Sequence, residues 1–304
     1  MSDYRLSFEF LPIVGPPDMS LALPLGVQRL CALRPVFGTV TFGAGGTDFH
    51  NTGPSAEFIQ RETGLPIAAH LTIINLTKDE VLGFARDFRR RGITRLVVLS
   101  GERREGWQPP DYSEGRHFQY VNEAVEALRR EKDLADMEIA VAVAPENSRA
   151  ASPAKAAVED FQRKIDAGAD RGITQFFRSN VSFTVLCEAA VRAGIKKPII
   201  PGFMPLYGPR TVEIMEASGV PVAAMVKNEV LAAERGAPAR AVAQKYLATQ
   251  LEDFMQRHPE QKDLQFFSLS RADVIVPVCT RLGLAPALPG PVAAPRRAAL
   301  APLR

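Results

Sequence analysis

Short β-branched or aromatic runs alternate with amphipathic stretches along nearly the whole chain, and this rhythm narrows the choice of fold more than any other feature. Strands are expected at residues 7–10, 37–42, 67–73, 95–99, 138–144, 172–177, 198–202 and 264–269. Several of these are continuous apolar runs, as parallel strands covered on both faces require. Helices are expected between them at 78–91, 117–132, 153–167, 182–193, 209–218 and 239–258. Thr77 can cap the first of these, with Glu80 three residues on as a capping box and Gly92 after its end. That helix buries Val81, Leu82, Phe84, Ala85 and Phe88 in this reading. Ser152 can cap another, with Pro153 in its first turn and Gly168 past its end. Eight strands, each followed by a helix, close into an α/β fold of one kind, a single (β/α)8 TIM barrel. An open doubly wound sheet is the competing layout, but no glycine-rich dinucleotide fingerprint follows the first strand. The barrel takes residues 1–284. Residues 285–304 are rich in Pro and Ala, show no core pattern and are read as a tail.

A chain of 304 residues accommodates one such barrel, which takes about 200–250. Lys and Arg number 37 against 34 Asp and Glu, so no nucleic-acid or anionic-membrane surface is indicated. Cys31, Cys187 and Cys279 are far apart and form no CxxC pair, which argues against a disulfide framework or a cysteine metal site. No basic leader and no run of about 18–20 apolar residues is present, so no membrane segment is read and a cytoplasmic location is expected.

A barrel carries its chemistry at the C-terminal ends of its strands. Those ends bear Glu9, Thr41 to Ala44, His70, Gly101-Glu102, Pro145-Glu146, Gln175, Pro201-Gly202 and Ser268. Glu9 lies between Phe8 and Phe10. Pointing inward, it is desolvated, and desolvation raises a carboxyl pKa into the range of a usable acid. A structural carboxylate paired with a buried Arg or Lys fits the same residues. Gln175 offers donor and acceptor together, as the edge of a heterocycle needs, and a strand-capping amide is the other reading. His70 can contact a cofactor or be a satisfied core residue. His50, His117 and His258 are scattered, so no metal spacing arises. Arg89, Arg90 and Arg91 end a helix, where cations suit the dipole. Trp107 stands in a long polar loop that is either a lid or a plain surface segment.

Taken together, SFEF at 7–10, VTFGA at 40–44, HLT at 70–72, RKIDAGADRGITQFF at 163–177, IPG at 200–202 and SLSR at 268–271 resemble the methylenetetrahydrofolate reductase family. They run in family order over roughly residues 5–283, and the stretch 163–177 is long and specific. The resemblance implies a barrel, usually oligomeric, that acts on tetrahydrofolate derivatives. It converts methylenetetrahydrofolate to methyltetrahydrofolate with hydride from NAD(P)H, usually through bound FAD, and needs no metal. It also implies roles. Glu9 matches the proton donor to N10 of the folate, and Glu102 a carboxylate beside the flavin or the iminium cation. Gln175 matches the reader of the pterin edge, with Met215, Leu269 and Arg271 at the folate site. Thr41, His70 and Lys164 match positions that contact FAD.

The chain also departs from the family. Ser100-Gly101-Glu102 stands where the family has Arg-Gly-Asp, Ala144 where Tyr is common and Ser148 where His is common. Phe118 aligns with a small residue near the adenosine, and Met215 with a folate-stacking Phe. Most of these changes fall on the flavin side, which implies weak or absent FAD binding and direct hydride transfer between nicotinamide and folate. Two other functions compete with this reading. A non-catalytic folate-binding barrel would have no need of a buried acid. A folate- or corrinoid-linked methyltransferase would need a cobalamin module or a zinc thiolate site, and the cysteine spacing offers neither.

Overall fold

The computed structural model describes residues 3–13, 23–43, 49–101, 108–146, 151–233 and 236–285. Nine parallel strand segments form one sheet: β1 (Arg5–Phe10), β2 (Phe37–Val40), β3 (Ile67–Thr72), β4 (Arg95–Leu99), β5 (Glu138–Val143), β6 (Arg171–Thr174), β7 (Ile199–Ile200), β8 (Gly202–Phe203) and β9 (Asp263–Phe266). Neighbouring strands pair in chain order from β1 to β7, while β8 pairs with β9 and β9 with β1. β7 and β8 are two halves of one barrel strand. Pro201 separates them because it has no N–H to give to the ladder. Its carbonyl instead accepts from Gln265 N at 3.0 Å. The chain therefore bonds to β6 before Pro201 and to β9 after it, and the expected eight-stranded barrel closes.

Ten α-helices surround the described strands: α1 (Leu25–Cys31), α2 (Thr52–Thr63), α3 (Lys78–Arg90), α4 (Val121–Arg130), α5 (Pro153–Asp166), α6 (Asn180–Arg192), α7 (Pro209–Ala217), α8 (Ala224–Ala232), α9 (Ala237–Arg257) and α10 (Ile275–Arg281). Helix α3 starts as its sequence requires. Thr77 Oγ1 accepts from Glu80 N at 3.3 Å, and the Glu80 carboxylate accepts from Thr77 N at 2.7 Å. Val81, Ala85 and Phe88 are buried, whereas Leu82 and Phe84 are only half-buried. Ser152 stands at the N-cap of α5 without a side-chain bond.

One boundary moves. Residues 117–120 are not helical, because the His117 ring meets the Leu76 carbonyl at 2.9 Å and His117 bridges to Thr77. Helix α4 begins only at Val121, where the Glu123 carboxylate accepts from Gln119 N at 2.8 Å. Several strands also end one to three residues earlier than their apolar runs suggest, since the ladder stops where the mouth loops leave. The core extends to Leu284 and Ala285, both buried, and the rest of the expected tail lies outside the described residues.

The core between sheet and helices is one continuous cluster that includes Phe8, Phe10, Phe88, Phe161, Phe203, Phe254 and Phe266. Inside the barrel a second cluster of Phe37, Ala68, Val97, Ala140, Ile173 and Ile200 forms a plug. Closure leaves no slack at Gly202. Its N–H donates to Thr174 Oγ1 at 2.9 Å. A Cβ there would stand 2.4 Å from the Thr174 carbonyl oxygen and 2.5 Å from the Phe267 ring. On the exposed face of α3, a Cβ at Gly83 would meet nothing within 4 Å. Gly202→Ala is therefore expected to lower stability by about 1–3 kcal/mol. Gly83→Ala is expected to raise it by about 0.5–1 kcal/mol. Urea unfolding midpoints of the two variants check both signs.

Candidate active site

Register decides which side chains enter the barrel. Ser7 pairs with Phe37, a plug residue, and Glu9 pairs with Thr39, so Ser7 and Glu9 share the inward face of β1. Phe8 and Phe10 face the opposite way, into the helix layer. They flank Glu9 in sequence but do not surround its carboxyl. The barrel interior does that, leaving Glu9 only 7% exposed.

The interior is stratified. At the N-terminal end, Arg5 pairs with Asp263 at 2.5 Å, and Glu138 pairs with Arg171 at 2.9 Å and Arg95 at 3.4 Å. The apolar plug follows. Toward the C-terminal mouth come Glu9, Thr39, Thr41 and His70, all buried. A carboxyl on the mouth side of a closed plug faces the one end of the barrel where a ligand can enter.

Glu9 and His70 meet there. His70 Nε2 lies 3.8 Å from Glu9 Oε2. Burial pushes the His70 pKa down to about 4, so the ring is neutral at physiological pH. Thr41 N donates to the Phe10 carbonyl at 3.1 Å, which fixes the end of β2 beside the end of β1. The Thr41 carbonyl accepts from Thr52 Oγ1 at 2.9 Å. Thr41 Oγ1 itself is buried with no hydrogen-bond partner. An orphaned buried hydroxyl at a barrel mouth is a position that a ligand atom can satisfy.

The segment after β9 binds to the same strand end. Ser268 Oγ donates to the Glu9 carbonyl, and Leu11 N donates to Ser270 Oγ at 3.0 Å. The backbone leaving Glu9 is thus stapled twice, at the Glu9 carbonyl and at the Leu11 N–H. Between these serines the backbone turns left-handed at Leu269 (φ 48°) and Ser270 (φ 58°). Such angles cost energy in non-glycine residues and persist where the surroundings enforce them. Gly26 helps to do so, because a Cβ there would fall 1.9 Å from the Ser270 carbonyl oxygen.

Tyr207 supports the segment from below. Its hydroxyl is shared between the carbonyls of Ser268 and Arg271, at 3.1 and 3.2 Å. Burial raises its pKa, which keeps it a donor. Arg271 is exposed, stacks 4.2 Å over the Tyr207 ring and pairs with Asp273 at 3.1 Å. The sequence places Ser268 at a strand end and Ser270 in the SLSR motif, but it does not signal their bonds to β1 or the part of Tyr207, since each meets backbone atoms distant in the chain.

The other expected residues divide. Gln175 is half-buried, and its N–H extends the ladder to the Val143 carbonyl at 2.7 Å. Its neighbour Phe176 packs with Met204, Met215, Val220 and Phe267 in an apolar cluster, so Met215 and the chain at Gln175 come together. Lys164 is buried on α5. Its ammonium is held by Asp160 and donates to the Ala142 carbonyl at 2.9 Å. Glu102, Ser148 and Trp107 lie outside the described residues. Glu146 serves structure: its Oε1 accepts from Arg178 N, Ser179 N and Ser182 Oγ at the start of α6. Arg89 and Arg91 pair with Asp136, Asp87 and Glu57, as a neutralised helix end. Among the described residues no group of three or more His, Cys, Asp or Glu could hold a metal ion. Among the same residues no helix is long and apolar enough to cross a membrane.

Comparison with known proteins bears on this geometry. The family model described as methylenetetrahydrofolate reductase matches residues 2–283. The chain is 33% identical over 285 residues to the 5,10-methylenetetrahydrofolate reductase of Escherichia coli (strain K12), covering 93% of this chain and 92% of that one. It is 29% identical to the enzyme of the same name from Buchnera aphidicola subsp. Acyrthosiphon pisum, over 93% of each chain. Among solved structures, a Clostridium thermocellum protein described as binding two copies of 5-methyl-5,6,7,8-tetrahydrofolic acid superposes with a TM-score of 0.60. It shares 13% identity, covers 92% of this chain and 94% of its own, and shows the likeness of fold.

The buried neutral His70 has a consequence for stability. Its folded pKa of about 4 lies below the ordinary 6.5, so the unfolded chain binds the proton first as pH falls. The native state loses stability between pH 6.5 and 4, and keeps it above 6.5. His70→Leu removes this contribution, which amounts to up to about 3 kcal/mol. Urea unfolding at pH 7 and pH 4.5 is expected to show a smaller acid loss in the variant than in the wild type.

Proposed function

The chain belongs to the methylenetetrahydrofolate reductase family, and on that ground we propose that it interconverts 5,10-methylenetetrahydrofolate and 5-methyltetrahydrofolate, with Glu9 as the general acid. The observation that carries this reading is the buried Glu9 carboxyl on the mouth side of the plug, with the backbone held at the Glu9 carbonyl and the Leu11 N–H. A binding barrel has no need of a carboxyl held in that way.

The chemistry follows from what Glu9 can do. Its carboxyl gives a proton to N10, and the bond between N10 and the methylene carbon breaks. The electrons of that bond stay on N10, and N5 forms an iminium cation with the methylene carbon. NAD(P)H then passes hydride to that carbon, giving the 5-methyl group and NAD(P)+. Water or buffer returns a proton to Glu9. Gln175 offers the pterin edge a donor and an acceptor. Met215 and Phe267 supply an apolar wall for the ring, and Leu269 and Arg271 frame the mouth beside Glu9. The role of Glu102 as a second carboxylate near the iminium rests on the resemblance alone.

FAD is the hydride carrier that the family implies. The residues carried over for it fit poorly, because most already have partners within the chain. The Lys164 ammonium is taken by Asp160 and Ala142. The His70 ring lies against Glu9. Ser100 brings no cation where the family has Arg. Thr41 Oγ1 alone of the three is unpartnered. No step is therefore derived through flavin, and hydride passes directly from nicotinamide to folate.

Two measurements test this reading. In anaerobic assays with methylenetetrahydrofolate and NADH, Glu9→Gln is expected to lose reduction by at least about a hundredfold while folate affinity holds. Near-wild-type turnover in that variant would remove Glu9 from the mechanism. Folate binding without turnover in the wild type, under any nicotinamide or flavin supply, would favour the non-catalytic barrel. Freshly purified protein is expected to lack the absorption band of oxidised flavin at about 450 nm. A stoichiometric band there would restore the flavin route.

A further inference from the structure

The resemblance assigns His70 to flavin contact, but the geometry points elsewhere. Glu9 is registered with Thr39, and Thr39 with Ala68. His70 is the next inward residue of β3 and so stands one layer nearer the mouth than Ala68. From there its ring reaches back across β2, and Nε2 comes within 3.8 Å of Glu9 Oε2. Both side chains are 10% exposed, so little water screens them from each other. A hydrogen bond between them requires the gap to shorten to about 3 Å.

We propose that His70 is a positioning residue for Glu9, its Nε2–H donating to Glu9 Oε2 so that the protonated oxygen Oε1 faces the substrate. This inference rests on the reading of Glu9 as the acid.

The direction of the bond follows from proton accounting. An acid that must reach N10 cannot spend its proton on the neighbouring ring. Burial makes the His70 ring a weak base, with a pKa pushed down to about 4, so the ring stays neutral. A neutral imidazole has one donor nitrogen and one acceptor nitrogen. The tautomer with the proton on Nε2 fixes one carboxyl oxygen and leaves the other free to carry the acidic proton. The left-handed turn at Leu269 and Ser270 and the serine staple fix the backbone of Glu9. They act on the backbone, whereas His70 meets the carboxyl itself and restrains its torsions.

The test compares His70→Leu, His70→Gln and His70→Asn with the wild type and Glu9→Gln. A glutamine amide nitrogen reaches about as far as Nε2, whereas that of asparagine stops near Nδ1. Steady-state kinetics with methylenetetrahydrofolate and NADH are read beside the dissociation constant of 5-methyltetrahydrofolate. His70→Leu and His70→Asn are expected to lower kcat at least about tenfold, with both KM values and the folate Kd within about twofold of wild type. His70→Gln is expected to recover most of kcat. If His70→Leu fails to fold, the comparison of Asn with Gln carries the same information.

The proposal is overturned if the Leu or Asn variant keeps wild-type kcat. It is overturned equally if the loss appears in the KM for NADH, which marks a contact with the hydride donor, or if Gln rescues no better than Asn. When the wild type turns over and Glu9→Gln does not, each of these outcomes removes His70 alone. When the wild type is inactive or Glu9→Gln is fully active, the reading of Glu9 falls and the His70 proposal falls with it.

Discussion

The seam between β1 and β9 joins the two ends of the barrel and holds the candidate acid. Arg5 to Phe8 pair with Asp263 to Phe266 in parallel register. Without β9 the first strand would present an open edge, and the plug would have a gap beside Ser7. The seam continues past the strands as side-chain bonds, from Ser268 to the Glu9 carbonyl and from Leu11 to Ser270. Closure of the fold and placement of Glu9 are thus the same event. Because the partners are almost the whole described chain apart, Glu9 gains its final environment only when the barrel is complete.

Closure also explains how a carboxyl is tolerated inside an apolar barrel. The floor is an ion-paired layer in which Arg5, Arg95 and Arg171 meet Asp263 and Glu138 at the rim. The plug above it contains no charge. Glu9 sits above the plug, on the side of the mouth, where His70 lies close. A buried carboxyl below the plug would have needed an Arg or Lys partner.

Much of this is legible in the sequence, and the gaps have physical causes. The eight-strand rhythm is readable because parallel strands covered on both faces are apolar throughout. The start of α3 is readable because Thr77 and Glu80 make a local motif. The inward face of Glu9 follows from alternation, but the source of its burial does not. Phe8 and Phe10 are its neighbours in sequence and face the helix layer instead. The break at Pro201, the capping of α6 by Glu146 and the late start of α4 depend on partners distant in sequence. His70 was ambiguous for the same reason, since the offset between β1 and β3 decides which residue its ring meets.

The stretch 163–177, which carries most of the resemblance, divides between scaffold and site. Arg163 and Lys164 pair with Asp160 on their own helix. Gly168 turns at φ 110°, and its carbonyl accepts from Arg129, whose guanidinium also grips Asp170 at 2.7 Å. Gly172 leaves room for Phe161, since a Cβ there would stand 3.0 Å from its ring. Only Gln175, at the end, stands at the mouth. A long match in this stretch therefore reports the fold more than the cofactor. Contacts that build the barrel and contacts that face the ligand are carried by different atoms, so one set can change without the other. That separation allows the residues proposed for the acid and the pterin to persist while the positions proposed for the hydride donor change.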